Sequence, residues 1–219
     1  MKNIEVLKFY PERFFKKGFP EHNERSVPEK TIAHLIKELP AFPEHLQLMY
    51  LILFCTGIRK SEVCTIKSGA FYSQGNENWM RIYQSKMRRE KVIPVPSLLV
   101  GLVNDYEKKY GIKNGEYLFK NKKGGAFNGQ TFSNQMIREC KARGIACGDY
   151  IFRAHDYRHN LATSMYGNGV SIQGVRDYLG HSSENMTKQY IDFMPERIVS
   201  AEDKYFSRNQ SFKLKGVED

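Results

Sequence analysis

The sequence predicts an α+β domain, mainly α-helical with a small antiparallel β-sheet. Apolar residues recur three and four apart in one segment after another, which is helical spacing. Gly57, Gly111, Gly144, Gly167, Gly169 and Gly180 stand where those segments stop. Around Trp79 the period shortens toward two, the spacing of strands. A length of 219 residues fits one domain with a short annex.

Taken in order, residues 1–25 mix Lys, Pro, Glu and aromatic side chains without a sustained period, and are expected to form an arm or linker. From Ser26, with Pro28 and Glu29 close behind, the spacing of Ile32, Leu35, Ile36 and Leu39 predicts a helix that stops at Pro40. Glu44 to Cys55 is apolar almost all round, as a helix at the centre of a domain must be, and it ends at Thr56-Gly57. Met80 and Ile82, then Val92, Ile93 and Val95, flank the polar tract SKMRREK and predict a hairpin with a basic tip. Leu98, Leu99, Leu102, Val103 and Tyr106 return to helical spacing, with Lys108 and Lys109 in the last turn and Gly111 as the stop. Phe132–Arg143, His155–Tyr166, Ser171–Leu179 and Pro195–Phe206 complete the expected helices. No internal repeat and no sustained heptad is present.

Composition narrows the partner. The 34 Lys and Arg against 24 Asp and Glu leave a net charge of +10, which favours a polyanion, a nucleic acid above all. The 41% hydrophobic content suits a globular core, and no apolar run is long enough to span a bilayer, so no membrane is expected; an acidic substrate stays open on charge alone, and it is the motifs that leave no small-molecule substrate expected. Cys55, Cys64, Cys140 and Cys147 form no Cys-x-x-Cys pair and read as reduced, structural thiols. MKNIEVLKFYPERFF lacks the apolar core and cleavage site of a secretory signal, so the expected compartment is the cytoplasm.

Three segments carry candidate chemistry. In TGIRKSEV, Arg59 follows a Gly turn at the exit of the buried helix, where a guanidinium held by the core can point at a phosphate. In HDYRHNLAT, His155 and Arg158 stand three apart on one helical face, near a helix start whose free N–H groups also favour an anion; His159 faces elsewhere and reads as structural. In LGHSSENMTKQY, His181 follows a Gly cap and Tyr190 ends the short helix that comes after it. Each segment alone also fits a bland reading as a capped helix end with a solvated charge. The ligand spacing of a metal site, a serine-hydrolase elbow, a P-loop and a dinucleotide fingerprint are all absent, so no metal or cofactor is expected.

In this order and at these spacings the three segments resemble the boxes of the tyrosine recombinase family, also called phage integrases, across roughly residues 26–200. TGIRKSEV is similar to the first box, HDYRHNLAT to the second, and LGHSS with a Tyr nine residues beyond its His to the third. The resemblance implies the recombinase catalytic-domain fold over 26–200, followed by a tail over 201–219. It implies that Arg59 and Arg158 clamp a phosphodiester with His155 and His181, that Tyr190 attacks it, and that a hairpin Lys protonates the leaving 5′ oxygen. Lys86 is that Lys by position, with Lys91 the lesser candidate, and Glu62 is given a supporting, orienting role.

The implied partners are double-stranded DNA and other protomers in a DNA-bound assembly. Family members usually carry a helical DNA-gripping domain ahead of the catalytic one, which residues 1–25 are too short to form, so a truncated chain is expected. The aromatic tail from Ala201, with Tyr205, Phe206 and Phe212, is expected to dock in trans on a neighbouring protomer. Two rivals remain at this point. A type IB topoisomerase would share the phosphotyrosine chemistry but generally has Lys at the place of His155, and a non-catalytic DNA-binding regulator would have no use for Tyr190 and His181.

Overall fold

A computed structural model describes residues 27–85, 87–145, 150–181 and 187. The expected arm, Lys86, Cys147, Tyr190, the helix expected over Pro195–Phe206 and the aromatic tail lie outside the described residues. Helices α1 (Glu29–Glu38) and α2 (Glu44–Thr56) are separated by a 3-10 turn at Leu39–Ala41, where Pro40 ends the first helix as its missing N–H dictates. The five-residue α3 (Lys60–Cys64) comes next, then strands β1 (Phe71–Gln74), β2 (Glu77–Gln84) and β3 (Arg89–Pro94). Helices α4 (Ser97–Tyr110), α5 (Gly129–Ala142), α6 (Ala154–Gly167) and α7 (Ile172–Leu179) complete the described order.

The all-round apolar character of α2 places it at the centre, with Leu46, Met49, Tyr50, Ile52 and Leu53 fully buried. It packs against α6 most closely, and also against α3, α4 and α5. Tyr50 meets Tyr157 of α6 edge-on, with ring centroids 5.2 Å apart, so the two central helices interlock through aromatic rings. Among the described residues no helix is long and apolar enough to cross a membrane.

The sheet is antiparallel in the order β1-β2-β3, with Met80 opposite Phe71 on one side and Ile93 on the other. Along β2, Met80, Ile82 and Gln84 point inward while Arg81 and Tyr83 are exposed, the alternation of a half-buried strand. The sheet therefore has one strand more than the expected hairpin. β1 buries only Phe71 and has no alternation to betray it; its one signal is the two-residue Gly75-Asn76 connection to β2. Helix α5 likewise starts three residues ahead of the expected Phe132. The Asn128 side chain caps it by accepting from the N–H groups of Gln130 and Thr131, and the apolar face begins only afterwards.

Two features position the site. Gly57 ends α2 at a φ of 59°, and a Cβ there would stand 2.8 Å from Leu161 Cδ2 on α6. On α6 the Asn160 carboxamide holds both backbone atoms of Val27, accepting from its N–H at 2.9 Å and donating to its carbonyl at 3.3 Å. Among the described residues Cys55, Cys64 and Cys140 are free thiols, Cys64 and Cys140 buried. Gly57→Ala should lower unfolding stability by at least about 2 kcal/mol in urea denaturation, because the left-handed backbone costs a Cβ about 1–2 kcal/mol and the overlap with Leu161 adds to it. A loss below about 0.5 kcal/mol would show that neither constraint operates.

Candidate active site

The turn at Gly57 delivers Ile58 to the core and Arg59 to the start of α3. The Glu62 carboxylate, 3% exposed, then folds back on it: one oxygen accepts the Arg59 backbone N–H at 2.7 Å, the other its Nη1 at 2.9 Å. Glu62 thereby caps the N-terminus of a very short helix, and its ion pair aims an Arg59 side chain that keeps 20% of its surface in solvent.

Arg158 reaches the same place from α6 and is 2% exposed. Its Nη1 donates to the Gly57 carbonyl at 2.8 Å and its Nη2 to the Leu179 carbonyl at 2.6 Å. These carbonyls lie at the C-terminal ends of α2 and α7, where helix dipoles favour a cation. One turn earlier on α6, His155 is exposed. Arg59, His155 and Arg158 line one cleft of about 460 Å³, together with Lys60, Ser61, Ser133, Arg153 and the apolar Ile58, Phe152 and Ala154.

His181 follows the left-handed Gly180 cap of α7 and is buried at 5% exposure. It is not among the residues that line the cleft, but stands within electrostatic reach of it. Burial, then the positive charges of Arg158, Arg59, Lys91 and His155, pull its imidazole down to about 3. Its Nδ1 pairs with Thr187 Oγ1 at 2.9 Å. The ring is therefore neutral at physiological pH, a single-proton hydrogen-bonding group rather than a third cation.

Lys91, the lesser candidate for the hairpin acid, sits on β3 with its Nζ donating to the Tyr178 carbonyl and lying 5.6 Å from the centre of that ring. Burial and then Arg158 bring its ammonium down to about 7, against the opposing pull of Glu62. Tyr157 and Tyr178 have phenols pushed up by burial, the wrong direction for a nucleophile.

Of the sequence candidates, the fold brings Arg59, Glu62, His155, Arg158 and His181 together, with Lys91 beside them, while Lys86 and Tyr190 lie outside the described residues. The sequence reading passed over Lys60, Ser61, Ser133 and Arg153, which line the cleft from the α3 start, α5 and the residue before α6. Lys60 and Ser61 lie within TGIRKSEV and Arg153 two residues ahead of HDYRHNLAT, so a signal was at hand for those three; Ser133 had none. Among the described residues no three His, Cys, Asp or Glu side chains cluster as metal ligands would. What the cleft offers is two guanidiniums from distant segments, further cationic groups and the N-terminal end of α6, a concentration of positive charge suited to an anion.

Fold and cleft together define a class, the integrase-type catalytic domain. The Phage integrase family model matches residues 25–197, and the chain belongs to that family. It is similar to Transposase B from transposon PsiTn554 of Staphylococcus aureus, 31% identical over 198 residues that make up 88% of this chain and 31% of that protein. The chain thus spans under a third of that relative's length. Among solved structures it superposes on XerA recombinase with a TM-score of 0.68 at 21% identity, covering 90% of this chain and 69% of that one. A second is XerH site-specific recombinase bound to difH substrate in a pre-cleavage complex, with a TM-score of 0.65 at 21% identity, covering 86% and 55%. These likenesses establish the fold.

Two outcomes follow from the geometry. Because the folded imidazole of His181 protonates near 3 and an unfolded one near 6.5, the unfolded chain binds the extra proton in between. The stability tied to this residue should be fully present above about pH 6.5 and drain away as pH falls toward 3, with the His181 ring resonances still those of a neutral imidazole at pH 5; a ring that titrates near 6.5 contradicts the assignment. Arg158→Ala should cost about 2–5 kcal/mol in urea denaturation, since it strips two buried carbonyls of a charged donor, whereas a merely solvent-facing arginine would cost under about 0.5 kcal/mol.

Proposed function

We propose that this chain is the catalytic domain of a site-specific DNA recombinase, which cleaves and rejoins strands of double-stranded DNA to integrate and excise a mobile element. Residues 26–200 form the catalytic unit, 1–25 an arm and 201–219 a tail; the chain acts in the cytoplasm, in a DNA-bound assembly with other protomers. The observation that carries the reading is the convergence of Arg59, Arg158 and His155 on one cleft, with neutral His181 in electrostatic reach of it.

The chemistry follows from charge. An in-line displacement at phosphorus builds negative charge on the non-bridging oxygens, and two preorganised guanidiniums meet it without a metal. In the proposed step the Tyr190 oxygen bonds to phosphorus as the bond to the 5′ oxygen breaks. The phenolic proton passes to a base, for which His155 is the candidate, and the 5′ oxygen takes a proton from Lys86. The product is a 3′-phosphotyrosine with a free 5′ hydroxyl, and attack by another 5′ hydroxyl reverses it with no external energy source. Glu62 orients Arg59. The names of the relatives favour recombination over topoisomerase relaxation, and a His at position 155 agrees with them.

The test uses a duplex selected from a randomised pool by binding to this chain, nicked beside the cleaved position so that the adduct is trapped. The wild-type chain should give a covalent protein–DNA band on a denaturing gel. Tyr190→Phe should abolish that band and leave non-covalent binding within about twofold, because it removes one oxygen and no charge. No adduct from the wild type, or an adduct that persists in Tyr190→Phe, overturns the reading.

A further inference from the structure

We propose that Gln84 is a positioning residue: it indexes the β2–β3 hairpin, and with it the Lys86 acid, against both the Arg59–Glu62 pair and the Gly180–His181 turn. The inference deepens the function proposed above and rests on it for the role of Lys86.

Gln84 occupies the last inward position of β2, after Met80 and Ile82, and is 1% exposed. Alternation calls for an apolar side chain there, and burying a carboxamide costs about 1–3 kcal/mol unless its polar atoms are used. They are used on one side. Nε2 points at Glu62 Oε1 at 3.5 Å, the same oxygen that receives Arg59 Nη1. On the other side the carboxamide lies flat on Gly180: a Cβ at that position would stand 2.6 Å from Gln84 Oε1 and 2.8 Å from Nε2. Gly180 is thus required twice, by its φ of 68° and by the amide packed upon it. Oε1 itself is buried with no hydrogen-bond partner among the described residues, so the fold holds this amide in place at a cost in stability.

The second strand is fixed to the same place. Gln84 stands opposite Arg89, and Ile82 opposite Lys91, whose Nζ donates to the Tyr178 carbonyl. One strand is therefore pinned at Gly180 and the other at Tyr178, both in the closing turn of α7. The connection between the strands, which contains position 86, springs from these two pins.

The consequence is selective. Removing the amide displaces the group that protonates the leaving oxygen while sparing the arginines and the DNA-binding surface. In the full chain, Gln84→Leu, with Gln84→Met as a second apolar replacement, should keep or raise urea stability. On the nicked selected duplex it should slow cleavage of an ordinary 5′ oxygen by about 10- to 100-fold. On the same duplex with a 5′-bridging phosphorothiolate, whose sulfur leaves without a proton, the slowing should stay below about threefold. Without DNA, amide hydrogen exchange at residues 85–88 should speed up by about tenfold or more while that of α1 is unchanged. Equal slowing on both substrates, no slowing on either, or unchanged exchange at 85–88 in both variants overturns the proposal. A wild-type chain that forms no adduct overturns the recombinase reading instead, and the exchange measurement alone then decides whether Gln84 anchors the hairpin.

Discussion

The guanidinium of Arg158 ties together segments that are far apart in the chain. It leaves α6, crosses the core and donates to the carbonyls that close α2 and α7. A buried cation is expensive unless its donors are spent on good acceptors, and two helix C-termini are among the best a fold can supply. With those ends fixed, Arg59 two residues beyond Gly57 and His181 two beyond Leu179 have little freedom in where they go. The same group lines the cleft, so the interaction that organises the fold also supplies part of the field inside the site.

That field has a price, and its neighbours show it. Arg158, Arg59 and Lys91 crowd positive charge around a partly dry volume; His181 responds by staying neutral and Lys91 by loosening its proton. Glu62 relieves some of the strain with both oxygens directed at Arg59. Cations crowded in this way gain most from an added counter-charge, because the protein alone only partly provides it.

Much of the fold was legible in the sequence because its helices obey simple periodicity. The all-round apolar stretch of α2 could only be central, and the Gly stops at 57, 111 and 180 fall where helices end in left-handed caps. β1 escaped because a four-residue strand with a single inward side chain leaves no period to detect. Arg59, His155, Arg158 and His181 were found through the order and spacing of three motifs taken together, since nothing local reports that residues a hundred positions apart share a cleft. Ser133 and Arg153 were missed for that same reason: their place in the cleft is decided by how α5 and α6 pack. Gln84 was invisible for the opposite reason, because a glutamine beside a polar tract reads as part of a turn, and only strand register shows it facing inward.

The clasp between Asn160 and Val27 adds a mechanical dimension to this geometry. One carboxamide grips both backbone atoms of a residue near the point where the chain enters the fold, and it does so from α6, two positions past Arg158. Tension applied to the chain ahead of Val27 therefore loads α6 directly, along with the helical segments before it. Because α6 carries His155 and Arg158, such a pull would be transmitted as torque on the helix that aims them.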